Sequence, residues 1–127
     1  MTSANRPVGQ PAPAWSAAIF AHNEAVRIER CLDSLLAQGL AGTGRIHVLI
    51  NGSTDGTSAI VAQRAALNPT IVPVDIPLGD KANAWNHYVH DIAPEVEFHY
   101  FVDGDVRVGP DACQALSTTL AGQQWAN

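Results

Sequence analysis

The chain has 127 residues, enough for one domain that buries about two-thirds of the surface of its unfolded form. Hydrophobic residues make up 46% and charged residues 15%, a balance that suits a packed core and excludes disorder as the state of the whole chain. A net charge of −5 argues against general phosphate-backbone binding, which needs clustered Lys and Arg to release counterions, and no nucleic-acid partner is expected.

Residues 1–14 hold three prolines among small and polar residues and read as a flexible tail with no apolar run of signal-peptide length. Trp15 to Phe20 is a short apolar run leading into Ala21-His22-Asn23-Glu24, the pattern of a buried strand that ends in a functional loop. From Glu24 the spacing turns helical: Ile28, Cys31, Leu32, Leu35 and Leu36 share one face, with Asn23 as cap and Gly39 as stop. Arg45 to Ile50 predicts a second strand. The run Asn51 to Thr57, NGSTDGT, turns it into a helix that carries Ile60, Val61 and Leu67 and ends before Pro69.

Thr70 to Ile76 predicts a third strand, short or at an edge because Pro73 interrupts it and Pro77 follows. A helix from Asp80 to Ala93 would put Ala82, Trp85, Val89 and Ile92 on one side, with Pro94 as its stop. Phe98 to Val102 predicts a fourth strand, and Pro110 opens a last helix with Cys113, Leu116 and Leu120 on one face. Strands and helices alternating in this way predict an α/β domain over residues 15–127, a mainly parallel sheet with helices on both faces. Cys31 and Cys113 fall in apolar helical patterns and not in CxxC pairs, so both read as small core residues of a reducing compartment. No segment reaches the ~20 apolar residues of a membrane span, and a cytoplasmic location is expected.

Ligands of such sheets collect at the carboxyl ends of the strands. AHNE, NGSTDGT and Val102-Asp103-Gly104-Asp105 each stand at one of those ends. Asp103 and Asp105 are two apart, which on a strand places both on one face roughly 6–7 Å apart. Two carboxylates so close need a positive charge between them, and a divalent hard cation is the simplest; an ordinary acidic turn is the structural reading of the same residues. NGSTDGT could present backbone N–H groups to phosphates, although it matches neither GxGxxG nor GxxxxGK[ST]; its glycines and Ser53, Thr54 or Asp55 also suffice for a turn and a helix cap. In AHNE, Asn23 and Glu24 suit the start of a helix, while His22 could stack on a base. Lys81 is the chain's single lysine, either exposed or facing a phosphate. His87 and His90 lack a third metal ligand, and His47 and His99 read as satisfied strand residues.

These pieces, with ERCLDSLLAQ, GDKANAWN and FVDGDVRVGPDA in the same order, resemble the amino-terminal half of the family 2 glycosyltransferases over about Trp15 to Leu120. The resemblance implies a Rossmann-like GT-A nucleotide-binding half and an inverting sugar transfer from a nucleotide-diphosphate sugar. It implies that Ala21, His22, Asn23 and Glu24 border the base and ribose, with Asn51 and Asp55 nearby. It further implies that Lys81 lies close to the donor, Asp103 near the ribose or a metal-bound water and Asp105 as direct ligand, Asp103 and Asp105 together being the expected Asp-x-Asp site for Mg²⁺ or Mn²⁺.

Two departures stand out. Where family members commonly have an acidic pair before Gly-Ser, this chain has Ile50 and Asn51; an amide both accepts and donates, which keeps a UDP-sugar as the favoured donor. Family members also continue into an acceptor-binding half with a general base, so the chain is expected to be a partial domain with no catalytic base of its own. A catalytically silent nucleotide-binding module is the alternative. A nucleotidyltransferase lacks its amino-terminal glycine-rich basic loop here, and a dinucleotide oxidoreductase lacks GxGxxG after the first strand.

Overall fold

The computed structural model describes residues 14–39, 43–77, 79–93, 96 and 98–109. Four strands, β1 (Trp15–Ala21), β2 (Gly44–Asn51), β3 (Ile71–Ile76) and β4 (Phe98–Asp103), form one sheet in the order β3-β2-β1-β4. Every pair is parallel, with Trp15 opposite Gly44 and Phe98, and Ile46 opposite Ile71. Helices α1 (Ile28–Leu36), α2 (Thr57–Leu67) and α3 (Lys81–His87) connect them, and α3 runs on into a π-helical turn, Tyr88–Ile92. Among the described residues no helix is long and apolar enough to cross a membrane.

β1 is central and buried on both faces, which is why it reads as a continuous apolar run without alternation. Its side chains divide between two cores. Ala17, Ile19 and Ala21, with Ile46, Val48, Ile50 and Tyr100, pack against Ile28, Cys31, Leu32 and Leu35 of α1 and Val61 of α2. Ala18 and Phe20, with Leu49 and Ile76, meet Ala84 and Tyr88 on the other face. Helices therefore cover both faces, as the sequence predicts. The chain steps from β1 to β2 to β3 in one direction and then crosses back to β4, so the topological switch point lies between β1 and β4. A crevice opens there, at the carboxyl ends of the two strands.

Several local expectations are corrected. Asn23 does not cap α1: the helix begins at Ile28 after a turn in which Glu24 O accepts from the amides of Arg27 and Ile28, and no side chain caps it. Leu67 is 85% exposed; the core side of α2 is made by buried Thr57 and Val61 with Ile60 and Ala65 partly buried beside them. On α3 the buried stripe is Ala84 and Tyr88, while Ala82 is exposed and Trp85 and Val89 are 42% and 41% exposed. The polar hydroxyl of Tyr88 makes that choice. It shares hydrogen bonds of 2.6 Å with Ser16 Oγ and 3.0 Å with His99 Nδ1, and Ser16 in turn contacts His47 Nδ1 at 3.3 Å. Burial pushes the His47 imidazole down to about 4 and His99 in the same direction. Both histidines are satisfied sheet residues. Cys31 is a buried free thiol, as expected. The predicted helix with Cys113, Leu116 and Leu120, and the stop at Pro94, lie outside the described residues.

Candidate functional site

Two loops form the rim of the crevice, and their side chains hold each other. Asn23, in the left-handed region at φ 53°, accepts at Oδ1 from the amides of Thr54 (2.7 Å) and Asp55 (3.3 Å), while its own N–H donates to Ser53 Oγ. Asp55 returns the link: its carboxylate accepts from the Thr57 amide, the Thr57 hydroxyl and the Ala25 amide. The Thr57 bonds hold the Asp55 carboxyl below its ordinary range. Thr57 Oγ1 also accepts from the Glu24 amide at 2.9 Å. AHNE and NGSTDGT are thus one welded unit.

Gly52 follows β2 at φ 55°, with its amide on Ile76 O at 2.7 Å, and a Cβ there would lie 2.9 Å from the backbone of Gly79. Only glycine permits that approach, which brings the segment before α3 against the end of β2. Gly104 does the same at β4. Its amide donates to Phe20 O at 2.8 Å, and a Cβ would sit 3.2 Å from Ala21 Cβ, Glu24 Cγ and Phe20 O. The strand ends at Asp103, and a turn closed by Val106 N–H on Asp103 O carries Asp105. The two aspartates are therefore not strand neighbours on one face; the turn sets their relation.

A cavity of about 360 Å³ fills the crevice. Contacts sort its lining into two regions. In the first, His22 Nδ1 bonds Asn51 O at 2.5 Å, and the His22 ring lies 3.6 Å from the space a Gly79 Cβ would take. In the second, Lys81 Nζ donates to Asp103 Oδ1 at 2.5 Å, close to Glu24 and Asp105. Phe20 lies between: Lys81 Nζ is 5.6 Å above its ring, which also stacks on Trp85 and Phe101. The Asp80 side chain caps α3 through the Ala82 amide and so fixes the start of the helix that carries Lys81.

Cys31 reports the charge of this region from beneath. Its thiol donates to Asp103 O at 3.7 Å, and burial, then the charges of Asp105, Glu24 and Asp103, pushes it up to about 12. It stays protonated and is no nucleophile. Of the three carboxylates that act on this thiol, Glu24 pairs with Arg27 and Asp103 with Lys81, so Asp105 is where the second region has room for added positive charge.

Of the residues singled out in the sequence, His22, Glu24, Asn51, Lys81, Asp103 and Asp105 line the cavity together. Ala21 is fully buried, and Asn23 and Asp55 spend their polar groups on the loop weld. Phe20 and Gly79 also line the cavity, and sequence reasoning missed both. Phe20 looked like any apolar strand residue, though its place beside AHNE was a signal; the approach of Gly79 to Gly52 had none. His87 pairs with Asp91 at 2.9 Å, and among the described residues no group of three or more His, Cys, Asp and Glu could hold a metal by itself.

Comparison with known proteins identifies the family and the fold. The family model described as glycosyl transferase family 2 matches residues 16–122. Among curated proteins nothing matches the chain. Among solved structures it is similar to the mannosyltransferase PcManGT from Pyrobaculum calidifontis, in complex with GDP-Man and Mn²⁺, at TM-score 0.70 and 22% identity over 91% of this chain and 35% of that one. It is also similar to S. aureus TarS 1-349, at TM-score 0.71 and 20% identity over 85% of this chain and 32% of that one. The same protein in complex with UDP gives TM-score 0.70 and 21% identity. The chain thus spans about a third of the length of these structures. Four parallel strands with helices on both faces match their Rossmann-like GT-A fold, and with the family model covering most of its length, the chain belongs to glycosyl transferase family 2.

Proposed function

We propose that this chain is the donor-binding half of a glycosyltransferase, taking a nucleotide-diphosphate sugar, with a UDP-sugar favoured, together with Mg²⁺ or Mn²⁺. The observation that carries this reading is the crevice between β1 and β4, which joins a hydrogen-bonding region at His22 and Asn51 to one that holds Lys81, Asp103 and Asp105. The base would occupy the first and the diphosphate the second. Solved structures of the same fold, named as complexes with GDP-Man and Mn²⁺ and with UDP, support it.

The donor set fits such an ion. Mg²⁺ and Mn²⁺ take one or two carboxylates and complete their shell with water and substrate phosphate, so Asp105 and Asp103 suffice without a protein cage. When bound, the ion would neutralise charge on the leaving diphosphate. Lys81 would exchange its bond from Asp103 to a phosphate oxygen, and Phe20 would keep water from one side of the site. No residue here is assigned as base on the acceptor hydroxyl. Because the chain covers about a third of its structural relatives, a nucleotide-binding module without transfer is the second reading; turnover of a sugar nucleotide by this chain would exclude it.

Calorimetric titration with UDP and GDP, with and without Mn²⁺, tests the proposal. Binding should depend on metal, and Asp105→Ala should weaken it at least tenfold. Equal binding without metal, or by Asp105→Ala, would remove the assignment.

A further inference from the structure

A second cavity, of about 410 Å³, opens at the carboxyl end of β3. Pro77 lines it, whereas Gly79 and Lys81 line the crevice, so the two cavities share the start of α3 as a wall. One side of the second cavity is a polar stripe on α3 and its π-helical turn: Asn83, Asn86, His87, His90 and Asp91 recur at the three- and four-residue spacing of a single helix face. Ala84 and Tyr88 on the adjoining face are buried in the core, which fixes the direction of the stripe. The other side is the end of β3, with Asp75, Ile76 and Pro77.

Its polar groups are of two kinds. Both carboxylates are oriented by a neighbour: Ser58 Oγ donates to Asp75 Oδ1 at 2.7 Å, and His87 Nδ1 shares a 2.9 Å hydrogen bond with Asp91 Oδ2. The exposed side chains of Asn83, Asn86 and His90 make no hydrogen bond among the described residues. We propose that this cavity is a saccharide-binding site, separate from the donor crevice. Charge selects the ligand class. Among the described residues no Lys or Arg lines the cavity and two carboxylates do, which repels a phosphate or carboxylate ligand, and no group there could hold a metal by itself. A neutral ligand dense in hydroxyls uses what remains: each hydroxyl can donate to a carboxylate and accept from an amide, while Pro77 and the edge of Ile76 offer apolar contact to the C–H face of a sugar ring. The site needs neither nucleotide nor divalent ion and stands apart from the reading of the crevice.

The test titrates the isotopically labelled chain, without nucleotide or metal, with glucose, mannose, N-acetylglucosamine and a disaccharide of each, followed by NMR. At least one sugar should give saturable shifts in the side-chain amides of Asn83 and Asn86 and the ring of His90, with His22 and Asn51 in the crevice unmoved. The double variant Asn83→Leu with Asn86→Leu should bind that sugar about tenfold or more weakly and unfold at the wild-type temperature, because both positions are exposed. Glucuronate, the same ring as glucose with a carboxylate, should bind more weakly than glucose. A disaccharide that binds more tightly than its monosaccharide would assign the site to a glycan chain, and equal affinity to a single ring. No saturable shift with any sugar, shifts centred on the crevice, or unchanged affinity in the double variant would overturn the proposal. Each of these leaves the nucleotide reading intact, since the titration contains no nucleotide.

Discussion

Lys81 and Asp103 form their ion pair in the open, with side chains 60% and 53% exposed. Such a pair contributes roughly 0–1 kcal/mol to stability, so its value lies in what it does when a ligand enters. Lys81 supplies positive charge to Asp103 in the free protein and, on the proposed reading, would change partner to a bound diphosphate. Lys81→Met should therefore leave the unfolding temperature nearly unchanged and weaken UDP binding about tenfold or more, since a charge-assisted bond to phosphate is lost. Mn²⁺ alone should bind Lys81→Met more tightly than wild type, because Asp103 is released. Calorimetry with metal and nucleotide added separately reads both changes; a variant that binds UDP as wild type does would assign Lys81 to the surface. The cation was visible in the sequence as the chain's single lysine, but its carboxylate partner stands 22 residues away and on another element.

At the scale of the element, α3 with its π-helical turn shows where periodicity stops being enough. The apolar spacing of Ala82, Trp85 and Val89 points to one face, yet the helix buries Ala84 and Tyr88. Hydropathy ranks tyrosine as a surface-tolerant residue; two hydrogen-bonding partners, Ser16 of β1 and His99 of β4, make its hydroxyl a core group here. Trp85 and Phe101 then meet at 4.3 Å on the rim beside Phe20. The same network makes stability depend on pH. His47 titrates at 6.5 in the unfolded chain and about 4 when folded, so between those values the unfolded state holds the extra proton. Stability should be complete above pH 6.5, fall on the order of 3 kcal/mol as pH drops to 4, and level off below. Urea denaturation at pH 7.5 and pH 4.5 checks this, and His47→Leu should flatten that part of the profile.

For the molecule as a whole, the crevice exists because β4 returns to the far side of β1 and Gly104 lets the turn after it lie against Phe20, Ala21 and Glu24. Gly104→Val should force that turn away from β1. The expected outcome is a loss of about 1–3 kcal/mol in denaturant unfolding together with loss of Mn²⁺-dependent nucleotide binding, since Asp103 and Asp105 would leave Lys81 and His22. Unaltered binding would show that the turn is not what assembles the site.

The sequence by itself determined the alternation of strands and helices, the parallel α/β class, and the three loops that carry the polar residues. These follow from apolar spacing and turn chemistry within a few residues, which are local properties. It also marked Asp103 and Asp105 as candidates, because two carboxylates so close at a strand end need a positive charge beside them, and the family resemblance added Asn51. Only the tertiary structure decided that β4 lies beside β1, that Asn23 and Asp55 weld two loops together, that Asp105 reaches the site through a turn, and that Asn51 Oδ1 is buried with no hydrogen-bond partner among the described residues. Apart from that local turn, each depends on which distant backbone comes within hydrogen-bonding or van der Waals range, and contacts across 30 or more residues leave no periodic trace in the chain.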